Sequence, residues 1–229
     1  MPIRPPTVQD QALGRHDVEH LLAHAEGPLV LEGCELDGAD LSRLKLQEAE
    51  FRNCSLAETS FYAANLAGTV WQRCRGGRAD FESADMVDAR FRSCDLNNTT
   101  WRRAKLASAL FNSCKLTGAN FEDVSHLGLA FEDCLLVGAY LRKLSFRKAT
   151  LVGLDFSEAD LSACDFRDAV FDNSSISHAQ LEDAQFGGAD LRGADIGGVK
   201  LGKASLFKGA LISHRQAAEL VMELGLRVG

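Results

Sequence analysis

Residues 151–196 read LVGLDFSEADLSACDFRDAVFDNSSISHAQLEDAQFGGADLRGADI. Every fifth residue is large and apolar: Leu151, Phe156, Leu161, Phe166, Phe171, Ile176, Leu181, Phe186, Leu191 and Ile196. The residue two places before each is small or apolar, mostly Ala, with Leu154, Cys164 and Ser174 among them. Charges fall in the other three places. A period of five fits neither a helix at 3.6 nor a strand at 2.0. Two inward positions in five require a chain that turns a corner at every repeat. Four corners close a square coil of about 20 residues, and such coils stack at the strand spacing of ~4.8 Å.

The pattern extends far beyond this stretch. From Leu31 to Leu211, 35 of 37 positions in the register are Leu, Phe, Ile, Met or Trp; the exceptions are Gly76 and His126. Twelve of the 13 Phe and both Trp fall in it. The column two places earlier contains no charge and holds all seven Cys. An unbroken register, running through Leu201 and Leu206 to Leu211, predicts about nine coils and a rod about 43 Å long.

The words GADLS (38–42), GANFE (118–122), SEADL (157–161), GGADL (187–191) and RGADI (192–196) resemble the A(D/N)LXX pattern of the pentapeptide-repeat family. The resemblance covers about four fifths of the chain. It implies an all-β solenoid, a right-handed quadrilateral β-helix of about nine coils in which each coil supports the next. The expected organisation is an N-terminal capping segment over 1–28, the β-helix over 29–211 and a C-terminal helix over 212–229.

Composition narrows the function. The 229 residues carry 25 Lys+Arg against 32 Asp+Glu, a net charge of −7, which argues against binding nucleic acid by general charge attraction. No apolar run reaches the ~18 residues of a membrane span, and the N-terminus shows no apolar signal region. An odd number of Cys without an export signal points to reduced thiols and a cytoplasmic protein. There is no nucleophile–base pair and no Gly-rich phosphate loop. Outward acids on a convex surface are unlike concave catalytic sites, so the expectation is a non-enzyme with no cofactor and no metal.

Three features break the monotony. Cys34, Cys54, Cys74, Cys94, Cys114 and Cys134 recur at a constant interval of four repeats and stack in one column. A metal or redox ladder is one reading; the other is a small apolar filler, which the absence of a companion His and of C-x-x-C favours. His126 stands where Leu or Phe belongs, between Leu106 and Phe146, as a hydrogen-bonded or outward-turned defect. Gly76 leaves a hole in the axis and predicts a bulge or an irregular corner.

The ends need caps. His16 to Ala25 reads as a short amphipathic helix with Val18, Leu21, Leu22 and Ala25 on one face, stopped by Gly27-Pro28. At the other end Ser213 and Gln216 form a capping box. Ala217, Leu220, Val221 and Leu224 follow at helical spacing, Gly225 ends the helix, and Leu226 and Val228 add apolar surface. This tail resembles the C-terminal helix of the gyrase-protecting members of the family, the Qnr-type and MfpA-like quinolone-resistance proteins. That resemblance implies a homodimer through Ala217, Leu220, Val221, Leu224, Leu226 and Val228. It also implies a DNA-mimicking rod that binds DNA gyrase or topoisomerase IV, with no direct contact to nucleic acid or membrane.

Residues 151–195 carry ten acids and two bases: Asp155, Glu158, Asp160, Asp165, Asp168, Asp172, Glu182, Asp183, Asp190 and Asp195, against Arg167 and Arg192. This band is the expected partner-binding surface. Basic bands at 71–110 and at Arg142, Lys143, Arg147 and Lys148 oppose DNA mimicry. The alternative is a general interaction scaffold without gyrase activity.

Overall fold

The computed structural model describes residues 7–199, 205–222 and 225–228. The chain divides into two compact units, Met1–Cys134 and Leu135–Gly229, each built of right-handed quadrilateral β-helix coils. In the first unit, β1 (Thr7–Gln9), β2 (Val30–Glu32), β3 (Glu50–Arg52), β4 (Val70–Gln72), β5 (Arg90–Arg92), β6 (Leu110–Asn112) and β7 (Ala130–Glu132) form one parallel sheet in chain order. From β2 onward the register advances by one full coil per strand, pairing Leu31 with Phe51, Phe51 with Trp71 and so on to Phe131. These strands are the first face of each coil. Single bridges such as Glu35–Ser55, Asp40–Ser60 and Lys45–Asn65 mark the second, third and fourth faces.

Each corner has its own chemistry. After the second, third and fourth faces a backbone bond closes the turn, as in Ala39 N–H to Leu36 O at 3.0 Å and Ala49 N–H to Leu46 O at 3.2 Å. The third residue of the turn takes a left-handed φ, such as 59° at Arg43 and at Glu48. A non-glycine residue is disfavoured there. Stacking holds it, because its N–H is engaged by the next coil; Arg43 donates to Tyr62 O at 2.9 Å. Among the described residues no such backbone bond closes the corner after β2 to β9.

The axis of the first unit is aromatic on two opposite faces. Phe51, Trp71, Phe91, Phe111 and Phe131 stack along the first face, and Phe61, Phe81, Trp101 and Phe121 along the third. Across the axis the two columns meet edge to face, at 86–89°. Both geometries suit the ring quadrupole. Each buried indole also needs an acceptor. Trp71 Nε1–H donates to Thr69 Oγ1 at 2.9 Å and Trp101 Nε1–H to Thr99 Oγ1 at 2.8 Å. That explains Thr two places before each Trp, where Ala usually stands.

Gly76 does not make a bulge. Its N–H donates to Asp95 O at 2.8 Å and its carbonyl accepts from Ala79 at 3.1 Å, so the coil is regular. The side chain of Leu96 fills the space: a Cβ on Gly76 would lie 3.0 Å from its Cδ2.

The N-terminal cap combines a helix and a strand. α1 (Arg15–His24) buries Val18 completely and starts with Gly14 N–H donating to Asp17 Oδ2 at 2.8 Å. Arg15 fastens the helix to the carbonyls of Asp40 and Ser42 at 3.0 and 3.1 Å. β1, outside the repeat, adds a rung by pairing Thr7 with Val30.

In the second unit β8 (Thr150–Val152) pairs with β9 (Val170–Asp172), and β10 (Ser174–Ser175) with β11 (Ala194–Asp195). The register slips once. In a regular coil an axial N–H donates to the carbonyl just before its counterpart on the next coil, as Phe166 does to Gln185 O. His178 N–H keeps that offset in donating to Gly197 O. Phe186 N–H instead donates one place further on, to Leu206 O, and Asp190 bridges Leu211 where Ala210 would be in register. One extra residue has therefore entered between Gly197 and Leu206. Phe207, the one Phe outside the sequence register, stacks on Phe186 at 4.6 Å. The slip places a ring in the axis and continues the Phe146, Phe166, Phe186 column. Leu206 is thus displaced from the expected axial position, and Leu211 is turned out at 49% exposure. Leu201 lies outside the described residues. α2 (His214–Met222) closes the unit.

Candidate partner-binding surfaces

The C-terminal cap is built on Gln216. Ser213 N–H donates to Gln216 Oε1 at 2.7 Å, and Gln216 N–H to Ser213 Oγ at 3.3 Å, which is the expected capping box. The rest of the Gln216 side chain plugs the coil end. Its Nε2 donates to Leu191 O at 2.7 Å and Ala194 O at 2.8 Å, with the residue 1% exposed. These carbonyls have no further coil to accept from. The sequence marks Gln216 as a helix cap only; nothing local to it signals the longer-range role.

Beyond Gln216 the surface is apolar. Ala217, Leu220 and Val221 are half-buried on α2, while Leu226 and Val228 are exposed. Leu224 lies outside the described residues. Gly225 ends the helix at φ 79°, donating to Met222 O at 2.9 Å. Leu211 and Met222 are also exposed, so apolar surface at this end exceeds the predicted set.

The acidic band is not one surface. Asp172 and Asp190 lie on the first face; Asp155 and Asp195 lie on the second. Asp160 and Glu182 lie on the third, Asp165 on the fourth, and Glu158, Asp168 and Asp183 at corners. Four are neutralised: Asp160 by Arg142 at 3.1 Å, Asp165 by Arg167 at 2.7 Å, Asp168 by Arg147 at 3.9 Å and Asp190 by Arg192 at 2.6 Å. Asp160 is itself buried. Burial pushes its carboxyl up, but hydrogen bonds from Ser162 and Arg142 outweigh that and hold it below the usual range. The Arg167 and Arg192 guanidiniums likewise hold Asp165 and Asp190 low. Asp155, Glu158, Asp172, Asp183 and Asp195 make no ion pair among the described residues.

Four of the eight bases in the basic band of the first unit are consumed in ion pairs. Arg78 pairs with Glu58, Arg103 with Glu82, Lys105 with Asp85 at 3.1 Å and Arg102 with Glu122 at 3.3 Å, each on an adjacent coil. In the second unit Arg142 and Arg147 are consumed in the same way. Exposed pairs of this kind are worth little in stability, about 0–1 kcal/mol; their effect is to cancel the field of the bases.

A groove of about 580 Å³ runs along the corner between the first and second faces of the second unit. Asp155, Ser175 and Asp195 line it with Arg192 and Arg215. Ser175 Oγ is engaged by Ser157 Oγ at 2.9 Å. Gly193 is required at this corner, since a Cβ would lie 2.5 Å from Phe171 O.

All seven cysteines are free and buried. They do more than fill space. Cys54 Sγ–H donates to Leu31 O at 3.3 Å, Cys74 to Phe51 O at 3.3 Å and Cys134 to Phe111 O at 3.4 Å. Each therefore serves the corner that lacks a backbone bond. Hydrogen bonding to flanking thiols, with burial, raises Cys74 and Cys114. Burial, aided by the nearby Asp160 charge and opposed by backbone hydrogen bonds, pushes Cys164 up to about 12. Among the described residues no group of three or more His, Cys, Asp or Glu converges to hold a metal. His126 is half-buried, with Nδ1 3.3 Å from Val124 O, and the next residue, Leu127, is 84% exposed.

Among the described residues no helix is long and apolar enough to cross a membrane. A family model described as a pentapeptide repeat region matches residues 44–121 and 122–214. No curated protein matches the sequence. Among solved structures, the chain is similar to full-length QnrB1, titled a plasmid-mediated fluoroquinolone resistance protein. The identity is 20% and the TM-score 0.76, over 96% of this chain and 100% of that one. A trypsin-treated QnrB1 gives 23% identity and a TM-score of 0.75, over 89% and 100%. At such identity the likeness is one of fold.

Proposed function

Because the chain belongs to the pentapeptide-repeat family, we propose that it is a non-enzymatic binding protein for a type II topoisomerase. DNA gyrase is the first candidate and topoisomerase IV the second. It mimics DNA, occupies the enzyme's DNA-binding saddle, and modulates the enzyme or protects it from quinolone-type inhibitors. The observation that carries this reading is the fate of the bases. Arg142, Arg147, Arg167 and Arg192 are each matched to an acid, leaving Asp155, Glu158, Asp172, Asp183 and Asp195 as the residual charge of the band. The QnrB1-like fold and the excess apolar surface around α2 support it. Two copies meeting through Leu220, Val221, Leu226 and Val228 would bring two such bands to one dyad. The reading has the protein act in the cytoplasm.

A general scaffold is the second reading. It is favoured by the spread of the acids over all four faces and by the neutralisation of four of the ten.

A supercoiling assay with purified gyrase, with and without a quinolone, separates them. The protein should alter supercoiling or relieve the drug at low salt, and the effect should fade as salt screens exposed charge. Reversing Asp155, Glu158, Asp172 and Asp195 to Lys should abolish it. Reversing Glu32, Glu35 and Asp37 in the first unit should not. If the unaltered protein neither binds gyrase nor changes its activity at low salt, the scaffold reading replaces this one. Light scattering checks the dimer: a monomer at tens of micromolar would remove the dyad.

A further inference from the structure

Three of the six histidines lie within α1, in the run HDVEHLLAH, at positions 16, 20 and 24. Residues four apart share a helix face, and two imidazoles at that spacing are how helices present a pair of nitrogens to a transition metal. All three are exposed, and nothing in the coil register calls for them.

We propose that His20 and His24 form an open two-nitrogen site for a divalent transition cation of the zinc, nickel or copper class. The two rings lie 4.3 Å apart, centroid to centroid, and tilted by 34°. His24 Nδ1 is 2.8 Å from His20 O. A carbonyl can only accept, so Nδ1 carries the proton, and in the neutral ring Nε2 keeps its lone pair. Metal-binding histidines are held in this way, with the second ring nitrogen donating to a carbonyl or carboxylate.

The surrounding charges leave the pair accessible. Arg15, the nearest guanidinium on the helix, is committed to Glu19 at 2.8 Å and to the carbonyls of Asp40 and Ser42. Asp17 is committed to Gly14 N–H. His16 lines a cavity of about 350 Å³ that His20 also borders, with Gln11, Leu13 and Asp17, but the ring contact on the helix joins His20 to His24. With no third protein ligand converging, water completes the coordination, and nitrogen donors select borderline cations over Mg²⁺ and Ca²⁺. A bound ion would tie successive turns of α1 together and so brace the cap whose Val18 is buried.

The test uses full-length protein without an affinity tag. Calorimetric titration with Ni²⁺ should give one site per chain. His20→Gln and His24→Gln should each weaken it by about tenfold or more, since loss of even an outer-shell partner costs that much. His16→Gln should change it less than about threefold. With Cu²⁺ in place of Ni²⁺, electron paramagnetic resonance should show two equatorial nitrogens. All three substitutions are at exposed positions, and circular dichroism confirms that each variant is folded. No binding by the unaltered protein, unchanged binding in His20→Gln or His24→Gln, or one coordinated nitrogen overturns the proposal. So does a loss in His16→Gln as large as in His24→Gln.

Discussion

In the first unit the large axial rings occupy two opposite faces, and every ring from Trp71 to Phe111 is stacked above and below and meets rings across the axis edge to face. In the second unit the main stack is a single column on the fourth face, Phe146, Phe166, Phe186 and Phe207. Phe156 meets it edge to face at 66° and 72°, its contacts with Phe171 are tilted by 46° and 35°, and Leu151, Leu161, Leu181 and Leu191 fill other axial places. Charge follows the same division. Most ion pairs of the repeats in the first unit join one coil to the next, whereas in the second Arg142–Asp160 and Arg147–Asp168 do so but Arg167–Asp165 and Arg192–Asp190 close on the same coil. The first unit is therefore stitched from coil to coil through both core and surface. The second relies more on aliphatic burial and on its cap, and leaves acids free for a partner.

The sharpest way to break that contrast is at the core. Trp101→Ala removes a fully buried indole, its stacking with Phe81 and Phe121, and the acceptor role of Thr99. It should cost about 3–5 kcal/mol, read as a lowered midpoint in denaturant. A cost near 1 kcal/mol would mean that the rings are interchangeable with the aliphatic filling of the second unit.

At the other end Gln216→Ala should act locally. It strands the Ala194 carbonyl and the Ser213 N–H, and leaves the Leu191 carbonyl with only its bond from Ala194 N–H. Each buried group left unmade costs about 1–3 kcal/mol, so about 2–4 kcal/mol of the last coil's stability should disappear. Amide exchange should speed up around Leu191–Ile196 while the first unit stays protected. Uniform acceleration in both units would show that stability is shared rather than divided.

How much of this the sequence discloses depends on the range of the interaction. The two inward columns are legible because burial acts on residue type at fixed spacing, and Leu31 to Ile196 obey it. The slip that brings in Phe207 is not legible, because Leu206 satisfies the apolar column equally well and only the stack on Phe186 decides between them. β1 is hidden for a similar reason, since a strand can join the first coil without carrying the repeat. The acidic band is legible as a count but not as a surface. Pairing depends on which base the adjacent coil sets beside each acid, as it sets Arg142 beside Asp160 and Arg78 beside Glu58.

The cysteine column makes the finest comparison. Ala serves the same inward place at many corners, so Cys54→Ala should be neutral if size alone matters. The corners are not equivalent, however. Where Ala stands, as at Ala49 and Ala194, a backbone bond to Leu46 O or Leu191 O closes the turn. After β2 there is none, and Cys54 gives its S–H to Leu31 O while its sulfur lies beside the Cys34 N–H. In the second unit Ser174 does the same with oxygen, accepting from Leu154 N–H at 3.0 Å and donating to Leu151 O at 3.0 Å. Cys54→Ser should therefore be tolerated to within about 0.5 kcal/mol, and Cys54→Ala should cost about 1 kcal/mol, the worth of an ordinary hydrogen bond. Parallel urea melts of the two variants decide it. If Ala matches or exceeds Ser, the thiols are filling after all, and Ser174 is a coincidence of size.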